Sequence, residues 1–368
     1  MMIGWTKSDL LKLKDKYKNL YRKEEDEQEQ VKHLATLASI DAVLDYYRIQ
    51  LRKFFDKDRP DITAKEDLIF LRDYGFYAPY IRNFATFSDH IEDEHLRIKR
   101  MKNPAMNLID EMKDFYSLIG GVYKEQFFNL IKGNKLRLKF IDEEKMETGA
   151  TLPILNTEYI YMYVGRIDNF QDYVTMAHEC GHGISCIMNP EGIFNYDRFL
   201  FSEVISIFFE TIANDEISSK LNIPNDGKTI KIESYNGYLH ASKLICAKID
   251  MLSSLNSQGL RNPKVMKSFL ERYHALDEND IKALMNKGIP NISQYVISYL
   301  TAIELYLIYI EDKEKALDLL TQMVMKEACD PRKYLNYVIS LGIEPGKNIS
   351  KYEEMLSIER EEIKKNIK

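Results

Sequence analysis

No apolar run in the 368 residues approaches the ~18 needed to cross a bilayer, so no membrane span and no membrane partner are expected. Met1 to Trp5 give way at once to Lys7, Asp9, Lys12 and Lys14, so no secretory leader is expected either. Cysteine is scarce. Cys180, Cys186, Cys246 and Cys329 form no CxxC pair, which fits reduced thiols in a cytoplasmic protein better than disulfides or a Cys-rich zinc knuckle. There are only 10 Pro and 16 Gly, with no low-complexity tract or fixed-period repeat, and the composition is that expected of an ordinary globular protein. Positive charge is also short: 51 Lys and Arg against 57 Asp and Glu leave a net charge of -6, which argues against nucleic-acid binding. The one basic cluster, Lys12 to Lys23, runs into Glu24, Glu25, Asp26, Glu27 and Glu29, and reads as the solvated face of a long helix.

What the chain does have is helical periodicity. Apolar residues recur at 3–4 spacing through 30–56, 103–131, 168–188, 199–220, 228–256 and 292–310, with shorter helices after that. Breaks are expected at 57–60, Gly120-Gly121, 189–192, 224–227 and 342–346. Residues 136–165 differ. Leu136 to Ile141, Gly149-Ala150 and Tyr159 to Val164 alternate and are rich in β-branched and aromatic types, so a sheet of two to four strands is expected there. The chain is therefore read as mainly α with one small β-sheet. Residues 1–60 are read as an N-terminal helical appendage and residues 61–368 as one catalytic domain.

Directly after that sheet stands Met176-Ala-His178-Glu179-Cys180-Gly181-His182, an HExxH motif. Residues four apart on a helix lie about 40° apart around its axis, so both imidazoles can grip one cation. Zinc suits neutral imidazole and keeps an open coordination position. Glu179 sits beside a ligand without being one, placed to accept a proton from water. Asp168 or Asn169 is the expected N-cap.

Two imidazoles leave the site incomplete. A third ligand is available in Phe201-Ser-Glu203-Val-Ile-Ser-Ile-Phe-Phe-Glu210, a strongly apolar helix in which Glu203 and Glu210 are seven apart and share a face. A carboxylate on the buried side of such a helix needs a partner. Zinc would partner Glu203, and a ligand imidazole N–H would partner Glu210. The remaining histidines, His33, His90, His95, His240 and His274, are scattered singly and read as structural or exposed; His240 merits the first look. Cys180 and Cys186 read as small buried residues.

These residues resemble the zinc oligopeptidases of the oligoendopeptidase F and thimet oligopeptidase type, which are HExxH gluzincins. The likeness runs through Thr148-Gly149-Ala150, Asn156 to Gly165, Thr175 to Gly183 and Ser202 to Glu210, where both glutamates and Ser206 fall in register. Gln294-Tyr295-Val-Ile-Ser-Tyr299-Leu-Thr-Ala302 is similar to the family's later tyrosine segment. The resemblance covers about residues 135–310 and points to a truncated or compact member. Pro290-Asn291-Ile292 stands where the family has a histidine.

The resemblance implies a zincin-like helical metallopeptidase domain with its sheet beside the HExxH helix, one Zn2+ per chain and oligopeptide substrates. Tyr295 and Tyr299, at i and i+4, are expected either to donate to a developing oxyanion or simply to pack. The 159–164 strand either offers an open edge to an extended peptide or is fully paired. The expected activity is zinc-dependent endopeptidase hydrolysis with Glu179 as general base, falling as the pH drops through about 6.5, where imidazoles protonate. The alternatives are a carboxypeptidase-type zinc exopeptidase and a catalytically inactive zinc- or peptide-binding protein.

Overall fold

The structure is a computed structural model that describes residues 2–3, 7–52, 75–86, 107–132, 136–141, 149–165, 169–190, 201, 203–254, 289–326 and 331–367. The chain divides into two compact units, Met1–Arg59 with Lys99–Phe194 and Asp215–Asn222, and Pro60–Ile98 with Asn195–Asn214 and Ile223–Lys368.

The first unit opens with β1 (Met2–Ile3), α1 (Lys7–Lys23) and α2 (Glu27–Arg52). The charge run expected to lie along one helix instead spans a turn. The Asp26 carboxylate accepts from the backbone N–H groups of Gln28 at 2.8 Å and Glu29 at 3.0 Å, an N-cap that starts α2 afresh. α3 (Ala78–Ala85) belongs to the second unit. α4 (Leu108–Ile119) and α5 (Gly121–Ile131) follow, separated where expected: Gly120 (φ 80) and Gly121 (φ 51) adopt a left-handed backbone that glycine tolerates. Then come β2 (Leu136–Ile141), β3 (Gly149–Pro153), β4 (Ile160–Gly165) and α6 (Gln171–Met188). The Asn169 side chain accepts from Gln171 N at 2.7 Å at the start of α6; Asp168 lies outside the described residues.

The sheet has the order β1-β2-β4-β3, with β2 and β4 parallel and the other pairs antiparallel. β4 is thus paired on both sides, the second of the two arrangements expected of it. β3 is the terminal strand, aligned with β4 through Gly149↔Val164 and Thr151↔Met162. The two-residue period of a strand sorts its side chains. Ala150, Leu152, Tyr161 and Tyr163 join Leu10, Ile40 and Val43 of α1 and α2 in one core cluster. Positions 149, 151 and 162 face the other way, toward α6; Met162 lies under Gly183, where an added Cβ would also meet Leu130 of α5 at 2.8 Å. The β3–β4 turn is tied to α2: Asn156 (φ 55) donates from Nδ2 to the Lys32 carbonyl at 3.0 Å, and Leu155 N donates to Ser39 Oγ at 3.0 Å.

The second unit is helical among its described residues. It comprises α3, the first turns of α7 (Val204–Lys220), α8 (Pro224–Ser254), α9 (Ile289–Glu311), α10 (Lys313–Met325), α11 (Pro331–Ser340) and α12 (Ile349–Ile367). Its core is aromatic: Phe84 packs edge-on against Tyr235, and Tyr238 stacks on Tyr299 at 4.1 Å and 19°. The Glu304 carboxylate accepts from the Asn348 backbone N–H at 2.6 Å and from its side-chain amide at 2.8 Å, which anchors the start of α12. Lys231, almost wholly buried, pairs with Glu359 at 2.5 Å. The expected break at 342–346 is present, with φ of 86 at Gly342 and 72 at Gly346. No helix among the described residues is long and apolar enough to cross a membrane.

Candidate functional site

α6 carries the HExxH residues because its apolar positions bury it on the sheet and on α4 and α5. Val174, Met176, Ala177, Cys180 and Ile184 are all fully enclosed. Tyr116, itself stacked on Phe127 at 4.5 Å, donates from its hydroxyl to the Ala177 carbonyl at 3.3 Å. This fixes the turn that bears His178. His178 and His182 are half-buried, one turn apart, with ring centroids 5.0 Å apart and planes inclined at 76°. Glu179 points elsewhere, into the face of β3. It is 4% exposed, and Thr151 Oγ1 donates to its Oε2 at 2.7 Å. Gly149 lies against the same carboxyl group: a Cβ there would stand 2.5 Å from Glu179 Cγ and Oε1.

Glu203 occupies the residue just before α7, and its carbonyl accepts from Ile207 N at 2.9 Å, so it begins the helix. It is 7% exposed in a segment otherwise lined by Val204, Ile205, Ile207 and Phe208. Gln294 Nε2 donates to its Oε1 at 3.3 Å. One imidazole nitrogen each of His178 and His182 and one carboxylate oxygen of Glu203 lie within 4.8 Å of one another, a group able to hold a metal ion. Two imidazoles with one carboxylate are a donor set that zinc accepts.

The remaining expected residues lie in the second unit. Glu210 is half-buried one and a half turns into α7. Tyr299 is 2% exposed; burial, then Tyr352, Tyr235 and Glu210, push its hydroxyl well above the usual phenol range. Tyr295, one turn earlier on α9, is 43% exposed. Sequence reasoning missed Tyr238. It stacks on Tyr299, and its hydroxyl is raised by burial first and then by Glu210, Glu203, Tyr299 and Tyr295. Its helix drew notice only for His240, two residues on, which is half-buried.

Cys180, Cys186 and Cys246 are free and buried, and burial was the expectation for Cys180 and Cys186. Burial first, and then the Glu179 charge, drive the Cys180 thiol up, which makes it unreactive. Burial likewise pushes Cys246 up to about 11. His33 packs edge-on against Tyr17. His90, His95, His274 and Cys329 lie outside the described residues, as do Thr148 and Ser202.

No protein-family model and no curated protein matches the chain. Solved structures do. A provisionally assigned oligoendopeptidase F from Bacillus anthracis str. Ames matches over 90% of this chain and 64% of its own, with a TM-score of 0.53 and 12% identity. PZ peptidase A crystallised with an inhibitor matches over 81% and 58%, at 0.55 and 13%. A second provisionally assigned oligoendopeptidase F matches over 96% and 66%, at 0.57 and 12%. The chain thus spans about three-fifths to two-thirds of the length of these structures. At such identities the likeness is one of fold: this mainly helical architecture with its small sheet is similar to that of peptidases.

Proposed function

We propose that the protein is a zinc-dependent peptidase that hydrolyses peptide bonds within oligopeptides. The observation that carries this reading is the His178, His182 and Glu203 group, with Glu179 on the same helix as both imidazoles but turned to a separate seat. The fold likeness to oligoendopeptidase F and PZ peptidase adds support. His178, His182 and Glu203 are the residues that would hold one Zn2+ per chain. Bound there, zinc would supply a Lewis acid that brings the pKa of a water to about 7 and polarises a carbonyl.

The chain's own side chains do the rest. Glu179 accepts the proton of the attacking water and passes it to the leaving amine. Glu210 orients a ligand imidazole. Tyr295, the more exposed of the two tyrosines, donates to the oxyanion, and Tyr299 supports it from within the aromatic core. β3, the terminal strand of the sheet, offers its outer edge to an extended peptide, one of the two roles weighed for the 159–164 strand. Free, buried cysteines accord with action in the cytoplasm.

A carboxypeptidase-type exopeptidase would use the same residues, and an inactive binding protein would have no use for a seated proton acceptor. The test is a panel of internally quenched peptides with free and blocked C-termini, assayed before and after chelation and zinc repletion. Cleavage of blocked peptides that chelation abolishes and zinc restores is the expected result. Cleavage of free C-termini alone would favour the exopeptidase, and activity that survives full chelation would rule out the proposal.

A further inference from the structure

We propose that Thr151 is a positioning residue for Glu179, and that with Gly149 it forms a seat on β3 that holds one carboxylate oxygen and leaves the carboxyl group aimed for proton transfer. The inference rests on the reading of Glu179 as general base.

Gly149 and Thr151 are two apart on a strand and therefore share the face turned to α6. Thr151 Oγ1 lies 2.7 Å from Glu179 Oε2 and 3.0 Å from the Glu179 carbonyl oxygen. A hydroxyl has one proton to give, and the contact to Oε2 is the shorter of the two. The proton therefore goes to Oε2. On the other side, any Cβ at residue 149 would come within 2.5 Å of Oε1 and Cγ and 2.7 Å of Cδ. The carboxyl group fits only because residue 149 has no side chain. The opposite face of β3 is fixed independently, since Ala150 and Leu152 pack with the α1–α2 cluster. The seat is thus part of a strand clamped from behind.

A glutamate has three rotatable bonds, and a proton acceptor works only within hydrogen-bond reach of its proton. Misplacement by about 1 Å can cost 100-fold in rate. The bond from Thr151 to Oε2 removes much of that freedom. A hydroxyl that merely satisfied a buried acid would affect stability but not turnover.

The experiment compares Thr151→Val, Thr151→Ser and Gly149→Ala with wild type. For each, zinc content, thermal midpoint, kcat and KM on a quenched peptide, and a crystal structure are obtained. The expected result is a kcat about 10–100-fold lower in Thr151→Val, with KM and zinc content within about twofold and the carboxyl group displaced. Thr151→Ser restores most of kcat and the carboxyl position. The three nearest atoms to a Cβ at residue 149 all belong to the Glu179 side chain, so Gly149→Ala is expected to fold and lose kcat, and its crystal structure decides the matter if Thr151→Val does not fold. Unchanged kcat in Thr151→Val, a carboxyl group in its original place there, or a serine variant as poor as valine would overturn the seat. If wild type cleaves no peptide, the peptidase reading fails, and the crystal structures still decide whether Thr151 positions the carboxyl group.

Discussion

The hydroxyl of Thr151 and the carboxylate of Glu179 meet at 2.7 Å, which ties the terminal strand of the sheet to the middle of the helix that bears both imidazoles. The helix therefore presents its acid in one direction and its two histidines in another. The proposed role of Glu179 as proton acceptor rather than fourth ligand rests on that separation, and the residues around it lead to distinct expectations.

Glu203 and Glu210 differ in kind. Glu203→Ala removes a donor from the metal group and leaves two imidazoles, so stoichiometric zinc is expected to be lost on dialysis. Glu210→Gln keeps the donors and is expected to weaken zinc by about 10–100-fold. Competition with a chromophoric chelator measures both. Equal losses in the two variants would contradict the assignment.

The two tyrosines of α9 also separate. Tyr295→Phe is expected to lower kcat by about 100–1,000-fold with KM and thermal midpoint nearly unchanged, as for the loss of one oxyanion donor. Tyr299 is enclosed and stacked on Tyr238, so Tyr299→Phe is expected to act mainly on stability. Kinetics and thermal melts on both variants distinguish these roles, and the reverse pattern would exchange them.

Much of this was legible in the sequence, and the reasons for the gaps are physical. His178 and His182 announce themselves because four residues on a helix always return to one face, and Glu203 and Glu210 because carboxylates in a strongly apolar stretch need partners. The strands at 136–165 showed through their alternation, and the break at Gly120-Gly121 through its composition. Thr151 did not, because its bond to Glu179 joins two elements 28 residues apart and leaves no periodic trace. Tyr238 was one of 24 tyrosines, marked only by what it stacks on. β1 is two residues long, too short for any pattern, and pairs with β2 far along the chain. The turn at 24–26 hid inside a run of charged helix formers, and only the Asp26 cap reveals it.

Alkaline pH provides a test of the packing. Burial raises the hydroxyls of Tyr116, Tyr235 and Tyr299 well above the ordinary value near 10. Below pH 10 folded and unfolded chains hold the same protons there, and the associated stability is fully present. As the pH rises past 10 the unfolded chain loses protons that the folded chain keeps, so stability is expected to fall, by about 4 kcal/mol per pH unit for three such groups. Tyrosinate absorbance and circular dichroism followed together should show these phenols ionising only as the helix signal collapses. Ionisation of all 24 tyrosines near pH 10 in a folded chain would show the aromatic core to be open.

The most direct test of the central claim is metal analysis and peptide hydrolysis measured side by side on wild type and Glu179→Gln. The account predicts about one zinc per chain in both proteins, with the rate in the variant reduced by about 100–10,000-fold, the range for losing a general base. Full activity in Glu179→Gln, or a carefully prepared native protein without zinc, would contradict it.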